Sequence, residues 1–161
     1  MILLSKLINE IGDTAQSYVP RNQIRWTVGS YSLGAVLRGV FETPTGLMVQ
    51  WRIVESKRHD WHFIFSVGGE VEKGADTSVR EYLRILATVA EVILKWLEEA
   101  PGAGWIIRSV DITGSDKQGA HSGQKNRIYL QVFKRYEQPL RKLGYRLDTA
   151  GNSLTLIPVA S

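Results

Sequence analysis

The segment that most constrains the fold is SVREYLRILATVAEVILKWLEEA, residues 78–100. Apolar residues return in it every three or four positions, which is the period of one face of an α-helix. Ser78 and Glu81 form a capping box at its start, and Pro101-Gly102 predicts its end. Other elements must cover the apolar stripe of this helix, which consists of Val79, Tyr82, Leu83, Leu86, Val89, Ala90, Ile93 and Leu97.

Strand-like patterns lie on both sides of this helix. Alternation of apolar and polar residues predicts strands over 24–31, 35–43, 46–56 and 61–67, and a further strand over 104–114. Thr43-Pro44-Thr45-Gly46 suits a turn, so the second and third strands should form an antiparallel hairpin. One face of the third strand should enter the core, because apolar residues fill every second position: Leu47, Val49, Trp51 and Ile53.

The C-terminal part predicts a second helix and then a second hairpin. From Tyr129 to Leu143 the apolar residues step by three or four, which places the aromatic side chains mostly in the core and the basic ones mostly on the surface. Pro139 should kink the late part of this helix, and Gly144 should close it. Residues 145–159 then form a hairpin with DTAGN as its turn.

Length and composition indicate one domain over residues 1–161, in which a short helix at 2–11 and a linker to residue 20 pack on the main body. The predicted class is α+β, with a mostly antiparallel central sheet, a long central helix and a C-terminal helix plus hairpin. The chain has no cysteine, which excludes disulfides and thiolate sites. No apolar run is long enough to span a membrane, and a cytoplasmic location is expected.

The positive charge is concentrated near the C-terminus. Residues 116–148 hold eight Lys or Arg against three Asp or Glu, whereas the net charge of the whole chain is +4. Such a local field attracts acidic protein surfaces, phosphate or nucleic acid. A solvated face of a packing helix explains the same pattern, so both interpretations stay open. The candidate partner-binding residues are Lys117, Lys125, Arg127, Lys134, Arg135 and Arg141.

The order of elements, with KLGY (residues 142–145) leading into a strand, resembles the GNAT superfamily of N-acetyltransferases over residues 35–159. Asn126 matches the asparagine of the loop before the last helix in that family. The chain looks closer still to small GNAT-like proteins of bacteriophages, through Arg127, Tyr129 or Ile128 beside it, Lys134, Arg135, Tyr136, Gly144 and Tyr145. The resemblance implies an acetyl-CoA site, with Gly74, Ala75 and Ser78 near the pyrophosphate.

Departures from the family pattern affect the cofactor and the catalytic acid. The loop GGEVEKGADTSV (residues 68–79) places three negative charges, Glu70, Glu72 and Asp76, where the phosphates would lie. The position where the resemblance implies a tyrosine acid is Leu140, and Tyr136 lies one turn earlier on the same stripe. No obvious general base compensates: Glu55, Asp60 and Glu70 lie near strand ends and are either candidate bases or surface charges.

Other chemistry has weaker support. His59 and His62 point to opposite faces of a strand and His121 lies far along the chain, so no metal site is predicted. GSYSLG (residues 29–34) lacks the spacing of a serine nucleophile elbow. We therefore expect a catalytically degenerate GNAT-like protein that needs no cofactor and binds a protein partner, in the host cytoplasm or in a virion. An active acetyl-CoA-dependent N-acetyltransferase with Tyr136 as its acid and a nucleic-acid-binding protein are the alternatives.

Overall fold

The computed structural model describes residues 16–31, 34–69, 79–115, 130–149 and 154–159. They form a seven-stranded sheet, three α-helical segments and a short 3-10 helix, Arg21–Gln23. The strands are β1 (Thr27–Tyr31), β2 (Gly34–Glu42), β3 (Leu47–Lys57), β4 (Asp60–Gly69), β5 (Ser109–Ser115), β6 (Tyr145–Asp148) and β7 (Leu154–Pro158). The helices are α1 (Val79–Ala103), α2 (residues 130–135) and α3 (Glu137–Lys142).

The strand order across the sheet is β1-β2-β3-β4-β5-β7-β6. All neighbouring pairs are antiparallel except β4 and β5, which are parallel. A parallel pair needs a crossover connection, and α1 supplies it. The α+β class and the mostly antiparallel sheet predicted from the sequence are thereby confirmed. The single domain over residues 1–161 remains a prediction, and the helix predicted at 2–11 lies outside the described residues.

The predicted β2–β3 hairpin is confirmed in detail. The amide of Gly46 donates to the carbonyl of Thr43 at 2.9 Å, which closes the turn around Pro44. Gly46 has a φ of 91°, a value that favours glycine. The β3 face that was predicted to be core is buried at all four positions, Leu47, Val49, Trp51 and Ile53.

A glycine in β2 makes room for the largest side chain of this face. Gly39 lies directly across from Trp51, and a Cβ on Gly39 would approach the indole to 2.2 Å. The indole of Trp51 is 4% exposed and stacks on Phe63, with ring centroids 5.8 Å apart. The ring of Trp26 meets it edge-on at 6.1 Å. These aromatic contacts fix the packing of β2, β3 and β4.

Helix α1 is buried on most of its circumference, as expected for a central helix. It runs on through Pro101 to Ala103 and not, as predicted, only to residue 100. Its end is a Schellman motif, because the Trp105 amide donates to the Ala100 carbonyl and the Gly104 amide donates to the Pro101 carbonyl. Gly104 has a φ of 78°, so the glycine that stops the helix stands two residues later than predicted.

The predicted second helix is split at Tyr136, which separates α2 from α3. Pro139 explains the position of this break. It lacks the amide that would bond to the Arg135 carbonyl, and its ring would collide with that carbonyl in a continuous helix. Pro139 therefore stands in the first turn of a new helix, where a missing amide costs nothing. Gly144, with a φ of 93°, follows the end of α3 as predicted.

Only one face of the sheet is covered by described helices. The buried residues of all three helices join one core cluster with alternate residues of β2 to β5 and β7, among them Leu37, Phe63 and Leu156. The segment before β1 packs on the same side, since the Tyr18 amide donates to Thr88 Oγ1 of α1 at 2.8 Å. The side chains between the core residues, such as Arg38 and Arg52, point to the opposite face, which we call the open face.

Candidate functional site

The carboxyl ends of β4 and β5 lie at one edge of the sheet, because these strands are parallel and Ser66 pairs with Ser115. Helix α1 begins at this edge. In open sheets with parallel strands and crossover helices, ligands bind beyond the carboxyl ends. The chain continues from here into residues 70–78 and 116–129. The predicted cofactor residues Gly74, Ala75 and Ser78 and the predicted partner residues Lys117, Lys125 and Arg127 belong to these segments and lie outside the described residues.

The described part of this edge carries a carboxylate at the start of α1. Glu81 stands in the first turn of the helix, and its Oε2 accepts a hydrogen bond from Thr45 Oγ1. A helix amino end has a partial positive charge, which a carboxylate in the first turn complements. Arg80 is exposed beside it. The negative charge of Glu81 partly neutralises the positive charge of this helix end. The helix end therefore attracts a further anion less strongly than a helix end without a carboxylate in its first turn.

Tyr136, the candidate proton donor, is half-buried between α2 and α3 and packs against the core cluster. Burial raises the pKa of its phenol, and the charge of Glu91 raises it further. The phenol therefore keeps its proton at neutral pH, which is the state that a general acid needs. Glu91 lies roughly 18 Å along α1 from Val79 at the helical rise per residue, so the charge that acts on Tyr136 belongs to the middle of α1 and not to its amino end. Leu140 is a core residue at 2% exposure.

Three of the predicted partner-binding residues, Lys134, Arg135 and Arg141, lie on α2 and α3, and together with Lys142 we call them the helical basic surface. All four side chains are exposed, whereas Val132, Phe133 and Leu140 between them are buried. Arg141 makes an exposed ion pair with Glu137 at 3.6 Å. Within the described residues, Lys134 and Arg135 form no ion pair.

The candidate bases have other roles where the structure describes them. Asp60 Oδ1 accepts hydrogen bonds from Arg108 Nε at 2.9 Å and from Ser109 Oγ at 2.9 Å. The bond from Arg108 and then the bond from Ser109 lower the pKa of Asp60 to about 2. Such a carboxylate is a weak base. Glu55 Oε2 accepts the His59 amide at 2.9 Å in the β3–β4 turn, and Glu70 lies outside the described residues.

The histidines occupy separate places. His59 lies in the β3–β4 turn with a φ of 69°, near the Glu55 carboxylate. His62 is on the open face, where its Nε2 lies 2.9 Å from Thr113 Oγ1. Across the described ranges, no three His, Asp or Glu side chains come close enough to hold a metal ion together.

The open face carries a feature that sequence reasoning missed. A depression of about 1020 Å³ crosses β1 to β4, and a second of about 270 Å³ adjoins it along the strands. They share three lining residues, Arg38, Arg52 and Ile64. Arg38 and Arg52 are direct cross-strand partners. We call these two joined depressions the sheet trough.

The sequence held a partial signal for the sheet trough. In β3, Met48 and Val54 are apolar although they alternate with the core residues, so the open face is less polar than a solvated sheet face usually is. The pairing of Arg38 with Arg52 depends on the hairpin register, which the turn at residues 43–46 sets. Counting the register outward from that turn would have found the pair.

Among the described residues, no helix is both long enough and apolar enough to cross a membrane. No family model, no curated protein sequence and no solved structure matches the chain. The functional argument therefore depends on the fold and on the chemistry of these surfaces.

Proposed function

We propose that this chain is a GNAT-like protein of bacteriophage type that acts by binding a protein partner with an acidic surface, and not by transferring an acetyl group. The partner would be met in the host cytoplasm or in the virion. The chain order of β2, β3, β4, α1, β5, the two later helices, β6 and β7 is the order on which the resemblance to that superfamily rests. It supports a shared fold, from which activity does not follow.

The proposal depends most on the amino end of α1. In the chain this end directly follows the segment where a CoA diphosphate would bind in the resemblance, and that segment contains Glu70, Glu72 and Asp76. Glu81, in the first turn of the helix, is a fourth carboxylate close to it in the sequence. Lys73 and Arg80 compensate only part of this charge. At an exposed site each opposed charge costs about 0.3 to 1 kcal/mol, so several together remove much of the affinity that helix dipole and amides offer.

The helical basic surface supplies the binding face in this proposal. Its cations stand on a rigid support, because Val132, Phe133 and Leu140 anchor α2 and α3 in the core. Lys134 and Arg135 can meet an acidic partner without first breaking an ion pair among the described residues. Charges of this kind accelerate association and select for complementary surfaces.

An active N-acetyltransferase is the competing function. The parallel β4–β5 pair with α1 at its carboxyl edge favours it, since such an edge commonly holds a ligand. In that case Gly74, Ala75 and Ser78 would lie near the pyrophosphate of acetyl-CoA, and protonated Tyr136 would serve as the acid. A nucleic-acid partner for the helical basic surface is the second alternative.

The binding face can be tested by charge reversal with a matched control. One variant combines Lys134→Glu, Arg135→Glu and Arg141→Glu. The control combines Arg58→Glu, Arg80→Glu and Arg146→Glu, which changes the net charge equally at other exposed arginines. Proteins from infected-cell extract that cross-link to the wild-type chain are identified by mass spectrometry. We expect the first variant to lose a partner that the control retains, with both chains still folded. Equal retention by both variants would contradict the proposal.

A further inference from the structure

We propose that the sheet trough is a second binding site, which takes the phosphate backbone and bases of a single-stranded nucleic acid. This inference concerns a different face of the molecule from the helical basic surface and does not depend on the proposed function. It starts from the arginine pair at the centre of the trough.

Arg38 and Arg52 are exposed, stand directly opposite each other on β2 and β3, and form no ion pair within the described residues. Like charges at directly opposite positions destabilise a strand pair. The nearest carboxylate on the open face of β2 is Glu42, four residues beyond Arg38 and so roughly 13 Å along the strand. On the far side of β4, Asp111 is engaged by Thr155 Oγ1 at 2.8 Å. An anion between the two guanidinium groups would remove their mutual repulsion.

The apolar walls of the trough narrow the choice of anion. Val40 is 56% exposed and Met48 is 36% exposed on the same face as the arginines, and Ile64 lies beside Arg52. A ligand that fits both features combines phosphate charge with flat apolar surface. Unstacked bases supply such surface, and guanidinium planes can stack on bases as well as bind phosphates.

The geometry disfavours a peptide that binds by strand addition. The trough lies on the face of the sheet, so a peptide bound in it would meet side chains and not the edge of the sheet, which is at β1. From β1 to β4 it spans three strand spacings, roughly 14 Å, and from Met48 to Ser56 it runs roughly 27 Å. This is an elongated and open surface, which suits a flexible single strand whose bases can turn towards the protein.

The size of the effect follows from counterion release. A single-stranded ligand gains a salt slope of about −0.7 for each phosphate that is neutralised, so two arginines contribute about −1.4. At 0.1 M salt the same relation gives about a 5-fold gain in affinity for each contact and about 25-fold for both. An arginine more than about 10 Å from the ligand adds little to the affinity, because salt at this concentration screens its charge.

The test is fluorescence anisotropy with a labelled ten-nucleotide oligothymidylate at several salt concentrations. The variant is Arg38→Gln with Arg52→Gln, and the matched control is Arg80→Gln with Arg146→Gln. Arg146 stands on the open face of β6, at the opposite edge of the sheet. Melting temperatures establish that both proteins are folded. Removal of the repelling arginine pair should leave the trough variant, Arg38→Gln with Arg52→Gln, at least as stable as the wild type. If this double variant unfolds, each single substitution is tested in its place.

We expect the wild type to bind, the trough variant to lose about 25-fold with a flatter salt slope, and the control to stay within about 2-fold. Three results would overturn the proposal: no binding by the wild type, equal losses in variant and control, or displacement of the oligonucleotide by an oligoglutamate peptide as effective as an unlabelled oligonucleotide.

Discussion

Replacement of Gly39 by alanine tests how β2 and β3 are packed. A Cβ at this position would lie 2.2 Å from Trp51 Cζ2 and 2.4 Å from Cε2. Carbon atoms pack best at about 3.5 to 4.0 Å, so the indole would have to move by more than about 1 Å. Phe63 stacks on one side of that indole and Trp26 meets it edge-on, which leaves little room for the movement.

The expected loss of stability follows from these contacts. Overpacking of a filled core typically costs about 1 to 3 kcal/mol, and a rigid, enclosed indole favours the upper end. Alanine returns about 0.5 to 1 kcal/mol in a strand because it restricts the unfolded chain. The net cost should be about 2 kcal/mol in the free energy of unfolding. For a chain of this length that lowers the melting temperature by about 4 to 8 °C.

Thermal unfolding monitored by circular dichroism measures this loss, with Gly68→Ala as the control. Gly68 lies in β4 with no atom within 4 Å of an added Cβ, so its replacement should leave the melting temperature unchanged or slightly raised. In a double-mutant cycle, Gly39→Ala should cost at least about 1 kcal/mol less when Trp51 is already leucine. The reasoning is refuted if Gly39→Ala and Gly68→Ala melt at the same temperature.

Two further predictions concern polar contacts of the core and of the sheet. Thr88→Val removes the acceptor of the Tyr18 amide, and the unpaired amide should lower the free energy of unfolding by about 1 to 3 kcal/mol. Thr88→Ser keeps the hydrogen bond. Equal urea midpoints for the two variants would contradict a stabilising role of this bond. Asp60 has a pKa lowered to about 2, mainly by Arg108, so its stabilising effect is present above the unfolded pKa of about 3.9 and disappears as the pH falls through about 2. The urea midpoint of Asp60→Asn should therefore be below that of the wild type at neutral pH. This difference in midpoint should shrink between about pH 4 and pH 2. A difference that stays constant over this range would exclude the ion pair as its cause.

Much of the fold could be predicted because its signals are local. The alternating pattern of β3 and the turn at Thr43 to Gly46 report directly on neighbouring residues, and both predictions are confirmed. Boundaries were less accurate where a nonlocal contact decides them. The strand expected from residue 104 begins only at Ser109, and in the segment before it the Ile106 carbonyl accepts a hydrogen bond from Trp61 Nε1, far away in the sequence.

Proline had opposite outcomes in the two helices, which its presence in the sequence does not distinguish. Pro101 is tolerated in the last turn of α1, and that helix ends only at the Schellman motif around Gly104. Pro139 stands late in the segment predicted as one helix, and that segment is divided at Tyr136. The two prolines differ in whether the helix carbonyls that lose an amide donor can accept a hydrogen bond from another group. That depends on the residues that follow each proline.

The candidate sites were predictable in part. The exposure of Lys134, Arg135 and Arg141 follows from helical periodicity and is confirmed. The sheet trough is different, because Arg38 and Arg52 are fourteen residues apart in the sequence and meet only through strand register. A search for clusters of charge along the chain misses such a pair, which appears only when the strand register is counted from the turn.

The proposed function requires that a CoA diphosphate does not bind at the amino end of α1, where Glu81 stands and which the acidic segment of residues 70–76 precedes in the chain. Calorimetric titration of the wild-type chain with acetyl-CoA tests this claim most directly. We predict no binding heat up to millimolar cofactor, with Gly74→Glu behaving as the wild type does. Micromolar binding that Gly74→Glu abolishes would contradict the account and indicate an active acetyltransferase.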